Sequence, residues 1–489
     1  MRDEVLDLAR QICNKDVLNM IYRNHANYLG PSNMSLVSRH DPEMPAPDRE
    51  SQILLFRTKY WTVTADGIEE RDLSSIPYNY WQQDLKPFDA HRCSQRMVNV
   101  VHTDAGFQVV PSDEGAQCDF LKFLMLTSWF DWDRYMDEDR VLKPQYASRQ
   151  LTGEDYGQHL LSKMTAIGYL LHHYHNPAVA KAVIALDERI SAVGESQGRS
   201  GKSLISVALE QMTEVTTIPA RGLDLSGDRF ALEQVTPNTR VITLDDIDIN
   251  FDFELLFPAI TSSVVVNGKG TKRFSLTGHD KPKFYITTNH TINANTGSAK
   301  DRMFKLAFSN YFDDTYKPER EFGGQFFGEY WEQEQWNLFY NLMAECLLLY
   351  FEAQRNGWGV NGSGLIEAPC DNIERRQMRQ QMTEGFYRWI MEYLNIDEDN
   401  PSDPTSTRLG ESIERSVMFE NYKSSVNRRE LGYITPQKFW QRLNLFCRYW
   451  GYTLNPHIPR DAHNHPGHDK SNGIERVTIS EKPFESSPA

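Results

Sequence analysis

Gly194-Glu195-Ser196-Gln197-Gly198-Arg199-Ser200-Gly201-Lys202-Ser203 is the stretch whose reading decides the fold. An apolar, strand-like run ending Ile190-Ser191-Ala192-Val193 precedes it, and a helix-like segment from Leu204 to Met212 follows. Strand, glycine-rich loop, Gly-Lys-Ser and helix, in that order, form the context a phosphate-binding P-loop requires. Glycines let backbone N–H groups curl around phosphate oxygens, and the helix N-terminus adds a favourable dipole. The loop predicts a cradle built from Gly194, Ser196, Gly198, Arg199, Ser200, Gly201, Lys202 and Ser203. Lys202 would reach the β- and γ-phosphates of ATP, and the Ser203 hydroxyl would ligate Mg²⁺. One position departs from GxxxxGK(S/T): its first glycine falls on Ser196, with Gly194 and Gly198 on either side. The bland alternative is a Gly/Ser loop ahead of an ordinary helix.

Two further strands weigh against that alternative. Val241-Ile242-Thr243-Leu244-Asp245-Asp246 is an apolar run ending in two acids, at a distance that suits the next sheet strand of a small α/β core. A buried strand delivers such carboxylates to its C-terminal tip, beside the phosphates. Asp245 would then hold Mg²⁺ through water and Asp246 would polarise the attacking water. Lys283 to Asn289 is a third apolar run with a polar end, where Asn289 would orient the lytic water; asparagine at a strand end is otherwise a common turn residue. Lys300-Asp301-Arg302 precedes another apolar run, Met303 to Phe308. Arg302 there is either an arginine finger for a neighbouring subunit or a surface ion-pairing group.

Outward from this core the chain is less informative. Its 489 residues predict about two to four domains. No run of about 18 apolar residues is present, so no membrane-crossing helix is expected. The acidic start, Met1-Arg2-Asp3-Glu4, lacks an apolar signal core. The six cysteines form no CxxC pair, which argues against a zinc ribbon or disulfide framework and favours a reducing cytoplasm. The net charge of −15 speaks against coating of nucleic acid over the whole surface but leaves room for a local basic channel.

Residues 1–28 read as helical, 53–63 as a strand followed by an Asp66-Gly67 turn, and 119–176 as mainly helical. Trp336, Phe339, Tyr340, Met343, Cys346, Leu347 and Tyr350 recur at helical spacing over 330–353, a stripe that plain core packing explains. Another helix is expected over 373–394. A third runs from an N-cap at Thr435, with Pro436 in its first turn, to a C-terminal cap at Gly451. One face of that helix carries Lys438, Arg442 and Arg448. His457, His463, His465 and His468 raise the idea of a metal site, but no cysteine partners them. The predicted organisation is an N-terminal mixed helical and hairpin domain over 1–150, an α/β P-loop ATPase core over 151–330, a helical region over 331–400 and a winged-helix-like domain over 401–489.

Lys202-Ser203, Asp245-Asp246, Asn289 and Arg302, in this order, resemble the superfamily 3 helicases of the AAA+ group, most closely the helicase part of phage, plasmid and virus primase-helicases. The likeness is clear over about 177–315 and faint before 150. It implies an AAA+-type fold and a hexameric ring that hydrolyses ATP at its subunit interfaces and moves on single-stranded DNA. It also implies a hairpin in the ring channel between the double-acid strand and Asn289. Two β-type runs there flank Asn267-Gly268-Lys269-Gly270, a hairpin signal. Lys269, Lys272 and Arg273 at its tip would track a phosphate backbone. A separate primase or other replication protein is an expected partner; a membrane is not. An ATPase switch or remodeller without unwinding activity, as in mobile-element defence, would carry the same motifs.

Overall fold

The computed structural model describes residues 10, 15–23, 44–103, 106–149, 151–187, 199–248, 251–269, 272–290, 292, 297–328, 331–370, 378–379, 381–396, 408–425, 434–456, 458, 469–471 and 474–480. The chain divides into two units, Met1–Ala46 with Ser75–Gln82, and Pro47–Ser74 with Gln83–Ala489. The first unit holds α1 (Lys15–Arg23), an amphipathic helix none of whose residues is buried. Everything below belongs to the second.

Its N-terminal part opens with β1 (Ser51–Phe56), β2 (Lys59–Thr64) and β3 (Gly67–Asp72), joined by β4 (Leu85–Lys86) in the order β3-β2-β1-β4. The single strand expected over 53–63 is thus a hairpin: Leu55 pairs with Tyr60, and the chain reverses at Arg57-Thr58. The reason is local, since these two polar residues interrupt the apolar run. The Asp66-Gly67 turn joins β2 to β3. β5 (Val98–Thr103) and β6 (Gly106–Pro111) form a second hairpin. Helices α2 (Asp119–Leu126) and α3 (Gly153–Leu171) follow, the latter started by a capping box between Thr152 and Asp155.

The centre is a sheet of five strands: β7 (Ala182–Asp187), then, after α4 (Lys202–Glu210), β8 (Val215–Pro219), β9 (Val241–Ile247), β12 (Lys283–Thr288) and β13 (Met303–Phe308). The excursion between β9 and β12 carries the antiparallel hairpin β10 (Ser263–Val266) and β11 (Phe274–Thr277). The sheet order is β13-β7-β12-β9-β8, and every neighbour is parallel. Both faces of β7 and β12 are buried along their whole length, which is why they read as continuous apolar runs rather than alternating ones. The double-acid strand is not the next strand after the loop: β8 comes first in the chain, at the sheet edge, and β12 lies between β7 and β9.

Helix α5 (Gln333–Arg355) buries its aromatic stripe against α3 and the N-terminal strands. Gly168 of α3 lies so close to α5 that a Cβ there would stand 2.2 Å from the Cys346 carbonyl oxygen. A separate core then gathers α6 (Glu384–Leu394), β14 (Ser412–Glu414), α7 (Arg415–Ser425), α8 (Pro436–Trp450), β15 (Thr453–Leu454) and β17 (Ile474–Ser480), with the short strand β16 (Asp469–Ser471) between the last two in the chain. Strand β17 pairs antiparallel with β14, β15 and β16. The helix expected over 373–394 is interrupted at Thr383: residues 378–379 and 381–382 are helical, Thr383 adopts φ +70°, and its hydroxyl caps the Phe386 N–H at the start of α6; residues 373–377 and 380 lie outside the described set. Among the described residues no helix is long and apolar enough to cross a membrane.

Candidate functional site

The C-terminal tips of β9 and β12 meet the N-terminus of α4 around a cavity of ≈ 500 Å³. In an open parallel sheet this edge is where ligands bind, because strand tips and helix N-termini converge there. Gly201 caps α4 in the left-handed conformation, φ +90°, and a Cβ on it would stand 2.7 Å from the Phe123 ring. Both the backbone shape and the close approach demand glycine. Lys202 and Ser203 then open the helix. From β12 beneath it, Tyr285 Oη donates to the Lys202 carbonyl at 2.7 Å. Burial, with Asp245 adding to it, raises the Tyr285 pKa, so this phenol remains a neutral donor.

The side chains form one continuous network. Lys202 Nζ lies 2.6 Å from Asp187 Oδ1, 2.9 Å from Asn289 Oδ1 and 3.1 Å from Ser200 Oγ. The Ser200 hydroxyl donates to Asp187. Ser203 Oγ donates to Asp245 Oδ1 at 2.8 Å, and Thr287 Oγ1 donates to the same oxygen at 2.7 Å. The Asp246 N–H in turn donates to Thr287 Oγ1 at 2.8 Å. Asp246 has φ +58°, a conformation that turns its carboxylate to Asn289 Nδ2 at 3.1 Å and Arg221 Nη2 at 2.6 Å. Arg221 is largely exposed, so water screens this last pair.

Lys202, Ser203, Asp245, Asp246, Asn289, Gly201 and Arg199 therefore all line one cavity. Ser200, buried behind it, holds Asp187 and Lys202. Arg199 also pairs with Asp314 at 3.2 Å at the rim. Gly194, Ser196 and Gly198 lie outside the described residues, as do His457, His463, His465 and His468. Arg302 is not at the cavity. It sits just before β13, where Met303 pairs with Ala182 at the opposite, N-terminal edge of the sheet. There its Nη1 donates to the Ser298 carbonyl, and its guanidinium stacks 4.8 Å from the Phe257 ring.

Lys269, Lys272 and Arg273 are exposed in the β10–β11 connection, and none lines the cavity. Lys269 Nζ lies 3.9 Å from Glu233 and 5.6 Å from the Phe230 ring centre. On α8, Lys438 and Arg448 are exposed, whereas Arg442 donates to Tyr422 Oη at 2.9 Å. No group of three or more His, Cys, Asp or Glu among the described residues is arranged to hold a metal ion by itself.

Sequence reasoning missed Asp187, Thr287, Tyr285, Arg221 and Lys317, the last lining the cavity beside Pro318. Asp187 did carry a signal, as the first of two acids, Asp187-Glu188, that close the apolar run Ala182–Leu186. Arg221 and Lys317 carried none, because only the sheet order and the chain's return after β13 bring them to this edge.

No protein-family model matches the chain, and no curated protein matches it. Among solved structures it is similar to the apo A form of the NrS-1 C-terminal region, with 12% identity, a TM-score of 0.35, and coverage of 88% of this chain and 97% of that one. A second structure of that region, spanning 305–718, gives 12% identity, a TM-score of 0.32 and coverage of 88% and 96%. A JCV helicase bound to a thiazolopyridine-phenoxyphenyl acetamide gives 10% identity, a TM-score of 0.24 and coverage of 56% and 61%. Likeness at this level leaves the reading of the site to the site's own geometry.

Proposed function

We propose that this chain is an ATP hydrolase that works as a ring-forming DNA helicase in the replication of a phage, plasmid or mobile element, of the superfamily 3, AAA+ kind. One observation carries the reading: a lysine and a serine at a helix N-terminus meet two adjacent carboxylates and an asparagine around one cavity at the C-terminal edge of a parallel sheet. The donor set suits a phosphate chain with a hard cation. The Ser203 hydroxyl and the Asp245 carboxylate, 2.8 Å apart, are oxygen ligands of the type Mg²⁺ takes. Ser203 and Asp245 would hold Mg²⁺, which would supply positive charge against the negative charge of the phosphate chain.

In this reading the α4 N-terminus and Lys202 bind the β- and γ-phosphates. Asp246 accepts a hydrogen bond from the water that attacks the γ-phosphorus, and Asn289, already bonded to both Lys202 and Asp246, orients that water. Arg302 of a neighbouring subunit stabilises the charge of the transition state. Lys269, Lys272 and Arg273 hold the DNA backbone. We read the C-terminal module as a winged helix; its order of helix, strand, two helices and three strands, with β17 paired to β14, β15 and β16, supports that reading.

The deciding experiment measures ATP hydrolysis with and without single-stranded DNA, beside electron microscopy of particle symmetry. Mg²⁺-dependent hydrolysis that DNA stimulates, in ring-shaped particles that displace a strand, is expected. Hydrolysis without strand displacement would identify an ATPase switch instead, and no hydrolysis would end the reading.

A further inference from the structure

Asp187 closes β7 with a side chain turned in toward Lys202 and only 5% of the residue exposed. Its Oδ1 takes the Lys202 ammonium at 2.6 Å together with the Ser200 hydroxyl. Its Oδ2 is buried and accepts no hydrogen bond among the described residues. Lys202, 7% exposed, is equally enclosed: Asp187, Ser200 and Asn289 supply three acceptors for an ammonium with three protons. Lys202 cannot reach a phosphate without giving up at least one of them. Asp187 is the charged partner, so it is the one a polyphosphate displaces. Once displaced, its carboxylate is a buried charge that has lost its cation and faces a polyanion, which is unfavourable on both counts.

We infer that Asp187 is a positioning residue that latches Lys202 in the absence of nucleotide. Competition between this carboxylate and the phosphates for one ammonium then sets the nucleotide affinity. Ser200 belongs to the latch, because its hydroxyl donates to Asp187 and accepts from Lys202. The latch rests on the nucleotide reading given above and adds a regulatory step to it. A site whose lysine is engaged elsewhere binds with an affinity reduced by the fraction in which the lysine is free. A partner that disturbs the end of β7 would therefore raise nucleotide affinity without touching the nucleotide.

The test is equilibrium binding of fluorescent ADP and ATP analogues with Mg²⁺ to the full chain, beside thermal melting. Asp187→Asn keeps the shape of the side chain and removes its charge. It should bind nucleotide more tightly, by about 5- to 150-fold, the usual range of a coupling between sites. It should also melt earlier without nucleotide and gain more from its addition. Ser200→Ala should shift affinity in the same direction by less, and it decides the matter if Asp187→Asn does not fold. A merely structural Asp187 predicts the opposite sign. Equal or weaker binding in these variants overturns the latch, as does absence of binding in all of them. Binding by Asp187→Asn with none by wild type supports it most strongly. Lys202→Ala separates the two levels: if it binds as wild type does, the nucleotide reading itself falls.

Discussion

Asp245 and Asp246 are chain neighbours in different surroundings, and the roles proposed for them differ accordingly. Asp245 receives two hydroxyl hydrogens on one oxygen, from Ser203 and Thr287, and so points along the wall that α4 and β12 share. Asp246 takes φ +58°, which costs a non-glycine residue about 1–3 kcal/mol and persists only where the surroundings impose it. Its side chain is about one-third exposed and is hydrogen-bonded to Asn289. Asp246→Asn should leave nucleotide affinity near wild type and slow turnover by about 10²- to 10⁴-fold, the usual contribution of a positioned acid–base group. Single-turnover hydrolysis and binding measured on the same preparation check this. Binding lost together with turnover would exchange the roles of the two acids. Another residue-scale expectation concerns His172, His173 and His175, which follow α3. Burial, reinforced by nearby Lys283, lowers the first two pKa values to about 3 and the third to about 2. In the unfolded chain these rings take up protons near pH 6.5, while the folded protein keeps them neutral. Stability from this source is present above pH 6.5 and is lost as the pH falls below it, by up to about 1.4 kcal/mol per histidine per pH unit. Urea unfolding at pH 7, 6 and 5 should show this fall, and His173→Gln should make it shallower. An unchanged slope in that variant would mean that His173 is protonated in the fold.

At the scale of elements, the helices were the easiest part to read. The aromatic stripe of α5 and the Thr435, Pro436 and Gly451 caps of α8 are local signals, and the structure places both helices within two or three residues of the expectation. The apolar strands β9, β12 and β13 were legible for the same reason. Strand β8 was not, because Val215-Thr216-Thr217-Ile218-Pro219 is a half-exposed edge strand ending in proline, without a long apolar run. The sheet order was not legible either, since it depends on pairing between distant segments. Lys202, Ser203 and the two acids stood in motifs, whereas Asp187 and Arg221 meet their partners Lys202 and Asp246 only through that order. Close contacts between elements are equally invisible in a sequence. Gly168 is an example: Gly168→Ala should drive α3 from α5 and cost about 1–3 kcal/mol, the range for overpacking a tight core. Denaturation followed by tryptophan fluorescence measures it, and an unchanged midpoint would show that the crossing relaxes freely. The β10–β11 connection carries the DNA expectation. Changing Lys269, Lys272 and Arg273 together to Ala should preserve basal ATPase, because none lines the cavity. Single-strand binding should weaken for all sequences, and its log–log salt slope should flatten by about 0.7 per lost phosphate contact. If the exposed Lys438 and Arg448 of α8 hold the DNA instead, the triple variant will unwind normally and changes on α8 will abolish binding.

At the scale of the whole molecule, Arg302 makes the clearest demand. The cavity lies at the C-terminal edge of the sheet, and Arg302 precedes β13 at the N-terminal edge, one six-residue strand away. A strand of that length spans roughly 20 Å. An arginine side chain reaches about a third of that distance, so Arg302 cannot touch a γ-phosphate bound in its own chain. Either it has no part in hydrolysis, or it completes the site of a neighbouring copy. Its setting suits the second reading: one nitrogen is bonded to a backbone carbonyl and the guanidinium rests on Phe257, so the group is held in place without a carboxylate to neutralise it in the contacts described above. Arg302→Ala should therefore bind ATP and assemble as wild type does but hydrolyse poorly, by about 10³-fold or more if it acts as an arginine finger. Mixing separates the two readings. Arg302→Ala and Lys202→Ala subunits should each hydrolyse ATP poorly alone, for different reasons. In a mixed ring, some interfaces join a normal Arg302 from a Lys202→Ala subunit to a normal Lys202 from an Arg302→Ala subunit, and those interfaces should hydrolyse ATP. Activity should rise from near zero to a maximum at intermediate ratios, once exchange has been shown with differently labelled subunits. A flat line across all ratios, in rings proven to be mixed, would remove Arg302 from the mechanism and with it the requirement for hydrolysis between subunits.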